Sequence, residues 1–371
     1  MKFNCQTFTL AVFLILSNFE LTAQGCVAIR QMSTCTGGGL ASNILQKGEA
    51  QIGFNYRYFK SFRHYRGTHE EADRVANGTE VINYSNGFEF SINYGLSQRI
   101  YTNINLPYAI YERSSLYEHG RTERHSSFSR GLADIRVGIG YWLLNPEQYS
   151  KGNIAFGIGL KLPTGSFNAS DIFYNVGINK TSEVRPVDQS IQPGDGGFGP
   201  SVDIQFYRKI SSKFSIYGTG FYLFSPKETN GVRTFRETLS PLLANESIMS
   251  VTDQFSARIG LNYGFNHTLG VGLGARYEGI PVNDLIGGSQ GFRRPGNILS
   301  VEPSINYMKG NVSISFSVPI ALRRERPQSV TDLATEKQTG MPRNGDSAFA
   351  DYLLSFGVFY RINSMPKTDH K

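Results

Sequence analysis

Phe255-Ser-Ala-Arg-Ile-Gly-Leu-Asn-Tyr-Gly-Phe-Asn-His-Thr-Leu-Gly-Val-Gly-Leu-Gly-Ala-Arg276 decides the fold. Before its centre, Phe255, Ala257, Ile259 and Leu261 share one face, and Ser256, Arg258, Gly260 and Asn262 the other. After it, Leu269, Val271, Leu273 and Ala275 oppose Gly270, Gly272, Gly274 and Arg276. A period of two is a strand. The tight join Phe265–His267 makes the pair a hairpin.

Working outward, twelve such segments fill the chain from about Gln51 to Ile362. Ile52, Phe54, Tyr56 and Tyr58 open the series, and Ile154, Phe156, Ile158, Leu160 and Leu162 repeat it. The connectors alternate in length. Leu96–Gln98, Asn145–Lys151, Lys209–Ser212, Phe265–His267 and Met308–Gly310 are tight. Ser61–Asn77, Glu112–Arg130, Thr164–Gly197, Ser225–Val251, Ile280–Gly296 and Arg323–Ser347 are long. A soluble sandwich has no physical reason to sort loops by side. An outer-membrane barrel does, with short periplasmic turns and long extracellular loops. The fold class is therefore all-β: a single transmembrane antiparallel β-barrel of about twelve strands.

Two further features separate the barrel from a sandwich, which also alternates. The face opposite the apolar one is small and glycine-rich, as a strand curling round a narrow interior requires. Aromatic residues gather near the tight turns: Tyr94, Tyr101, Tyr141, Trp142, Tyr207, Phe214, Tyr263, Phe265, Tyr307 and Tyr360. That is the expected interfacial girdle. The last strand, Phe349–Ile362, alternates aromatics, resembling the signal read by the barrel-assembly machinery. A polar tail, 363–371, follows it, where such strands usually end on an aromatic.

Composition agrees. The 371 residues hold 40 glycines and 13% aromatics, with 3 cysteines and 1 tryptophan. Mean hydropathy is −0.27. No apolar run reaches the roughly 18 residues of a membrane helix. A barrel needs lipid-facing residues only at alternate positions, so its average stays ordinary.

The start reads as a secretory leader, 1–23: Lys2, the apolar stretch Phe8–Leu16, and Leu21-Thr22-Ala23 before a cut. A lipoprotein reading would use Ala23-Gln24-Gly25-Cys26, but Gln24 fits that motif poorly. Residues 24–48 do not alternate and contain the hinge Thr36-Gly-Gly-Gly39; they read as a periplasmic arm or a hatch inside the barrel. The barrel proper is 49–362. Cys5 leaves with the leader. Cys26 and Cys35 remain as an even pair in an oxidising compartment, so a small disulfide loop is expected. Two thiols without a nearby histidine make no zinc pattern.

Net charge is +7. The basic residues are spread, and the richest stretches also carry acids, as solvated loops facing an anionic, lipopolysaccharide-bearing surface would. No nucleic-acid motif is present. By strand phase, the inward charges are Arg57, Arg136, Lys161, Arg258, Arg276 and Arg361 against Glu89, Asp134, Asp203, Glu278, Glu302 and Asp351. A selective ion pore concentrates one sign. A balanced set reads first as internal ion pairs in a narrow lumen, and second as a substrate path.

Some twelve-stranded outer-membrane barrels are phospholipases with a Ser/His/Asn set. None of the six histidines here, His64, His69, His119, His125, His267 and His370, is read on a strand face. Ser85 in Tyr84-Ser-Asn-Gly87 and Ser126 beside His125 lack a companion base at motif spacing. No catalytic, cofactor or metal residues are assigned. Gln192–Gly199 is glycine-rich, but no Lys-Ser/Thr or helix follows to make a phosphate cradle.

Gly131-Leu-Ala-Asp-Ile135 running to Tyr141, Gly159-Leu-Lys-Leu-Pro-Thr-Gly165, and Gly194-Asp-Gly-Gly197 opening Pro200–Arg208 carry a resemblance. They are similar to the outer-membrane barrels of the MetA-pathway-of-phenol-degradation, transporter-like family. The resemblance implies an outer-membrane location in a Gram-negative cell and porin-like passage of small, aromatic or hydrophobic molecules. It transfers no binding residues. The expected function is passive transport of a small-molecule solute. The alternatives are a non-transport surface protein with partner-binding loops, and a lipid hydrolase. The expected partners are outer-membrane lipid and the assembly machinery.

Overall fold

The structure, a computed structural model, describes residues 44–363. The expected leader, the Cys26–Cys35 pair, most of the 24–48 arm and the tail beyond Asn363 lie outside the described residues.

Alternation at period two produces strands throughout, and twelve of them form the wall. They are β1 (Ala50–Arg66), β2 (Ile82–Gly95), β3 (Ile100–Ser115), β4 (His125–Leu132 and Arg136–Trp142), β5 (Gly152–Lys161) and β6 (Gly199–Lys209). Then come β7 (Phe214–Leu223), β8 (Gln254–Gly264), β9 (Leu269–Ile280), β10 (Gly296–Lys309), β11 (Val312–Ser317 and Ile320–Glu325) and β12 (Ser347–Ala350 and Leu354–Ile362). Each pairs antiparallel with its sequence neighbours. β1 pairs β12 from Ala50↔Ile362 to Tyr58↔Leu354, which closes the ring. Closure leaves no free edge, the condition for a sheet in lipid.

Burial runs opposite to that of a soluble protein. In β5, Ile154, Phe156, Ile158 and Leu160 are exposed, up to 64% for Ile158, while the intervening positions are covered. In the hairpin that opened the sequence reading, Ile259, Leu261 and Leu273 are 50–60% exposed, while Asn262 and Arg276 are buried. Leaving such side chains in water forgoes ~1.5–3 kcal/mol each. Lipid is the solvent that recovers it.

The strands outrun the sequence reading at the long-loop end. β1 continues past Ser61 to Arg66, because residues Ser61–Tyr65 pair with Ser347–Ala350 of β12. Buried His64 holds this extension. Its Nε2 accepts the Val81 N–H at 2.8 Å, so Nδ1 carries the proton it donates to Asp346 at 2.8 Å. Three strands are broken. β4 breaks at Ala133–Ile135, β11 at Val318-Pro319, and β12 at Asp351–Leu353. Pro319 cannot donate to a ladder, which suits an interruption.

The long loops are themselves structured. Loop β5–β6 carries the hairpin Ser170–Phe173 with Glu183–Pro186, and loop β7–β8 carries Thr229–Arg233 with Ile248–Ser250. Loop β11–β12 carries a helix, Val330–Thr339. Ser329 and Asp332 form its capping box, with backbone-to-side-chain bonds of 3.1 and 2.9 Å.

Three members of the expected girdle face inward instead. Trp142 is 2% exposed and packs with Ala155, Ile44, Tyr101 and Tyr207. Trp142 shares the parity of Arg136, Gly138 and Gly140, and Tyr101 that of Asn103 and Asn105, so alternation carries these rings inside.

Candidate functional site

The interior is built in tiers. At the short-turn end, Tyr101, Trp142 and Tyr207 cross the lumen. Tyr101 lies flat over Gly140, where any Cβ would collide with its ring. Its hydroxyl accepts a 2.6 Å bond from Gln205 Nε2. Ile44 and Leu45, just before β1, are buried at this end.

The charged tier comes next. Arg57, Glu89, Asp134, Arg136, Lys161, Arg276, Glu278 and Glu302 are buried; Asp203 and Arg258 are half-buried. Arg258 Nε donates to Glu302 at 3.0 Å, and Arg276 Nη2 to Glu278 at 2.7 Å. Arg57 lies among Glu278, Arg276, Tyr111 and Glu89; Glu89 lies between Arg136 and Arg57. β1, β2, β4, β8, β9 and β10 thus contribute to one mixed-sign network. Asp203 sits apart, against the bare backbone of Gly157. Arg361 and Asp351 do not join: Arg361 is at the β12 end, and Asp351 lies 3.8 Å from Arg63 at the β12 break.

The third tier is a loop. Loop β5–β6 turns into the barrel and fills the β4 break. Gly194 N–H donates to Ser166 O at 2.7 Å, and Ser166 N–H to Leu132 O at 3.2 Å. A Cβ on Gly194 would sit 2.8 Å from the Gly165 carbonyl carbon and 2.9 Å from Asp134 Oδ1. Asp134 accepts the Gly165 and Asp195 N–H groups at 3.0 and 3.1 Å. Lys161 pairs with Asp195, and both are buried. The glycine-rich stretch is therefore the fold of an inserted plug.

Asp188 latches that plug from the other side. It accepts two bonds from Arg294, ahead of β10, at 2.6 and 2.7 Å, and its Oδ2 lies 3.6 Å from Arg113 of β3. It also caps the short 3-10 turn Gln189–Ile191 through Ser190 N–H at 2.9 Å. Burial alone would raise its carboxyl pKa; Arg113 and Arg294 outweigh burial and hold it far below the usual range. Arg113 pairs with buried Glu118 at 2.6 Å. Arg113, Asp188 and Arg294 were missed from sequence, because loop residues carry no period. Asp195 stands out in the sequence only as part of a glycine-rich turn, and the three glycines around it, Gly194, Gly196 and Gly197, are the available signal.

Between this plug and the wall lies a cavity of about 90 Å³. Arg57, Tyr84, Tyr111, Gln189, Asp195 and Arg294 are among its lining residues. It mixes flat aromatic faces with charged tips.

The hydrolase alternative meets a specific obstacle. Ser127 Oγ lies 3.4 Å from His119 Nε2. But His119 Nδ1 accepts the Tyr174 N–H at 3.1 Å, so Nε2 holds the proton and has no lone pair for the serine. Burial, with His125 beside it, also pushes the His119 pKa down to about 4. Ser126 donates to Glu112 at 2.7 Å, and Ser85 lines the lumen cavity.

No family model matches the sequence, and no curated protein matches it. Solved structures do. An outer-membrane channel from Pseudomonas putida F1 superposes with a TM-score of 0.58 at 11% identity, over 90% of this chain and 100% of that one. The chain is an outer-membrane β-barrel. The Pseudomonas putida toluene transporter TodX aligns at a TM-score of 0.43 and 10% identity, over 93% of this chain and 99% of its own. The β domain of the Bordetella autotransporter BrkA aligns at 0.44 and 9%, over 85% and 100%.

Proposed function

We propose that this barrel passes a small organic solute, aromatic in character, passively across the outer membrane, with loop β5–β6 as its constriction. The observation that carries this is the latched plug. A loop held inside the lumen by Asp188 and Asp195, beside an aromatic and charged cavity, narrows a path without filling it. A purely structural barrel would gain more from a fully packed lumen. The Pseudomonas putida F1 neighbour is described as an outer-membrane channel, which supports the reading at the level of fold. The sequence resemblance to the phenol-degradation barrels supports the aromatic preference. The long loops face the cell exterior, and residues 44–48 close the short-turn end, a role supported by buried Ile44 and Leu45. The protein performs no chemistry on its cargo.

The test is flux. Full-length protein in liposomes should swell them in solutes the size of phenol and exclude disaccharides. Removal of residues 24–39 should raise the rate. Impermeability of both forms to every solute would reject passage.

A further inference from the structure

A second hollow, of about 160 Å³, lies among the long loops. Six guanidiniums line it: Arg113, Arg236, Arg293, Arg294, Arg326 and Arg343. Only three carboxylates do, Glu246, Asp332 and Asp346. His64 also lines it, but its Nε2 accepts the Val81 N–H and is therefore unprotonated. The remaining counter-charges, Glu118, Asp188 and Asp284, bind Arg113, Arg294 and Arg293 from outside the lining. Arg236 pairs with Glu246 at 2.9 Å and Asp346 is taken by Arg74, so Asp332 alone serves both Arg326, at 3.2 Å, and Arg343, at 3.7 Å, and the surplus is one cation on that side of the hollow.

These cations are arranged around an aromatic. Arg236 and Arg294 lie 5.2 and 4.5 Å from the centroid of the Phe292 ring. Tyr117 is a second ring in the wall. Guanidinium forks bind carboxylates in bidentate geometry, and a flat ligand ring stacks on a flat side chain. The volume is close to the ~150 Å³ of a protein cavity that holds benzene. Arg236 and Arg343 keep 32% and 42% of their side chains exposed, so the hollow is reachable from solvent. Arg294 lines both this hollow and the lumen cavity.

We propose that this hollow is a capture site for a small aromatic carboxylate, which it hands to the lumen past Arg294. The inference rests on the passage reading and adds the sign of the solute's charge. The carboxylate meets Arg343, which shares Asp332 with Arg326, with Arg236 beside it, and its ring lies along Phe292. An uncharged aromatic gains the ring contact but leaves the cationic excess uncompensated.

Calorimetric titration of the full chain in detergent tests this without transport. Benzoate should bind, acetate more weakly, and benzyl alcohol, its uncharged counterpart, not measurably. The double variant Arg236→Gln/Arg343→Gln should weaken benzoate by at least about tenfold, the least that loss of a charge-assisted hydrogen bond produces. Arg208→Gln, exposed at the opposite end, should leave it unchanged. Equal binding of benzyl alcohol and benzoate, or parental affinity in the double variant, overturns the proposal. Solute flux with no benzoate titration sinks the capture site and spares passage. A positive titration in a barrel impermeable to every solute keeps the site and rejects passage.

Discussion

Asp188 and Arg294 meet through two hydrogen bonds of 2.6 and 2.7 Å across 106 residues of sequence. The contact joins the inserted loop to the lead of β10, while Arg113 approaches the same carboxylate from β3. Asp188→Asn keeps the shape and removes the charge. Breaking one side of such a buried pair costs ~3–5 kcal/mol. The loop should detach while the wall stays closed. Single-channel recordings should show a larger and noisier conductance than the parent, with an unchanged shift on unheated gels. The sign of the pH effect follows from the lowered pKa. The ionised latch is present above the ordinary carboxylate range and is lost only as pH falls through the depressed folded value. Mild acid, near pH 4, should leave conductance unchanged.

His119 shares the sign of that dependence, but its window lies at higher pH. Its folded pKa, about 4, is below the ~6.5 of an unfolded histidine. Protons therefore bind the loosened loop more tightly than the ordered one. The stabilisation is complete above pH 6.5 and declines as pH falls toward 4. Limited proteolysis between Leu116 and Thr122 should accelerate over that window, and His119→Gln should flatten the profile.

Lys161 is the cation beside two carboxylates that the β4 break brings together, pairing with Asp195 and acting on Asp134. Lys161→Met should leave them facing each other without a cation. The expected loss is about 3–5 kcal/mol in urea unfolding from bilayers. Adding Asp195→Asn to Lys161→Met should restore part of it, because the repulsion then disappears.

Gly140 has no room for a side chain beneath the Tyr101 ring. Gly140→Ala should swing that ring away and break its bond to Gln205. Overpacking of this kind costs ~1–3 kcal/mol. The short-turn end should leak, so liposome swelling should rise while the melting temperature falls. Tyr101→Phe, which keeps the ring, should change neither by as much.

On the outside, Leu273 is 60% exposed on β9. Leu273→Arg places a charge on the lipid face and should cost ~2–4 kcal/mol if it sits at the bilayer midplane. The same change at Ser256, which faces inward, should cost less in insertion and register mainly in conductance. Folding yield into vesicles against lipid thickness separates the two.

The wall was legible because lipid on one side and a confined interior on the other impose a strict parity, and Ile259 beside Gly260 shows it in two letters. Loop sorting was legible for the same reason. Parity, applied strictly, would also have placed Trp142 with Gly140 and Tyr101 with Asn103; composition near the turns misdirected that reading. The break in β4 shows only as a change of parity, with Phe128 and Leu132 exposed before it and Ile139 and Tyr141 after it, and that in β12 was hidden, since apolar spacing continues from Tyr352 to Leu354. The latch was out of reach. Asp188, Arg113 and Arg294 sit where no period exists, and only the folded wall brings them together. The arginine cluster around Phe292 has the same origin, with contributions from β3 and three separate loops.

The pairing of Gly53 with Phe359 joins strands that synthesis separates by nearly the whole length of the wall. Until the final strand arrives, β1 has an unsatisfied edge that bare hydrocarbon would penalise heavily. For a nascent chain of this design, sealing the ring therefore waits on the last residues to be made, and entry into hydrocarbon becomes favourable only once that edge is paired.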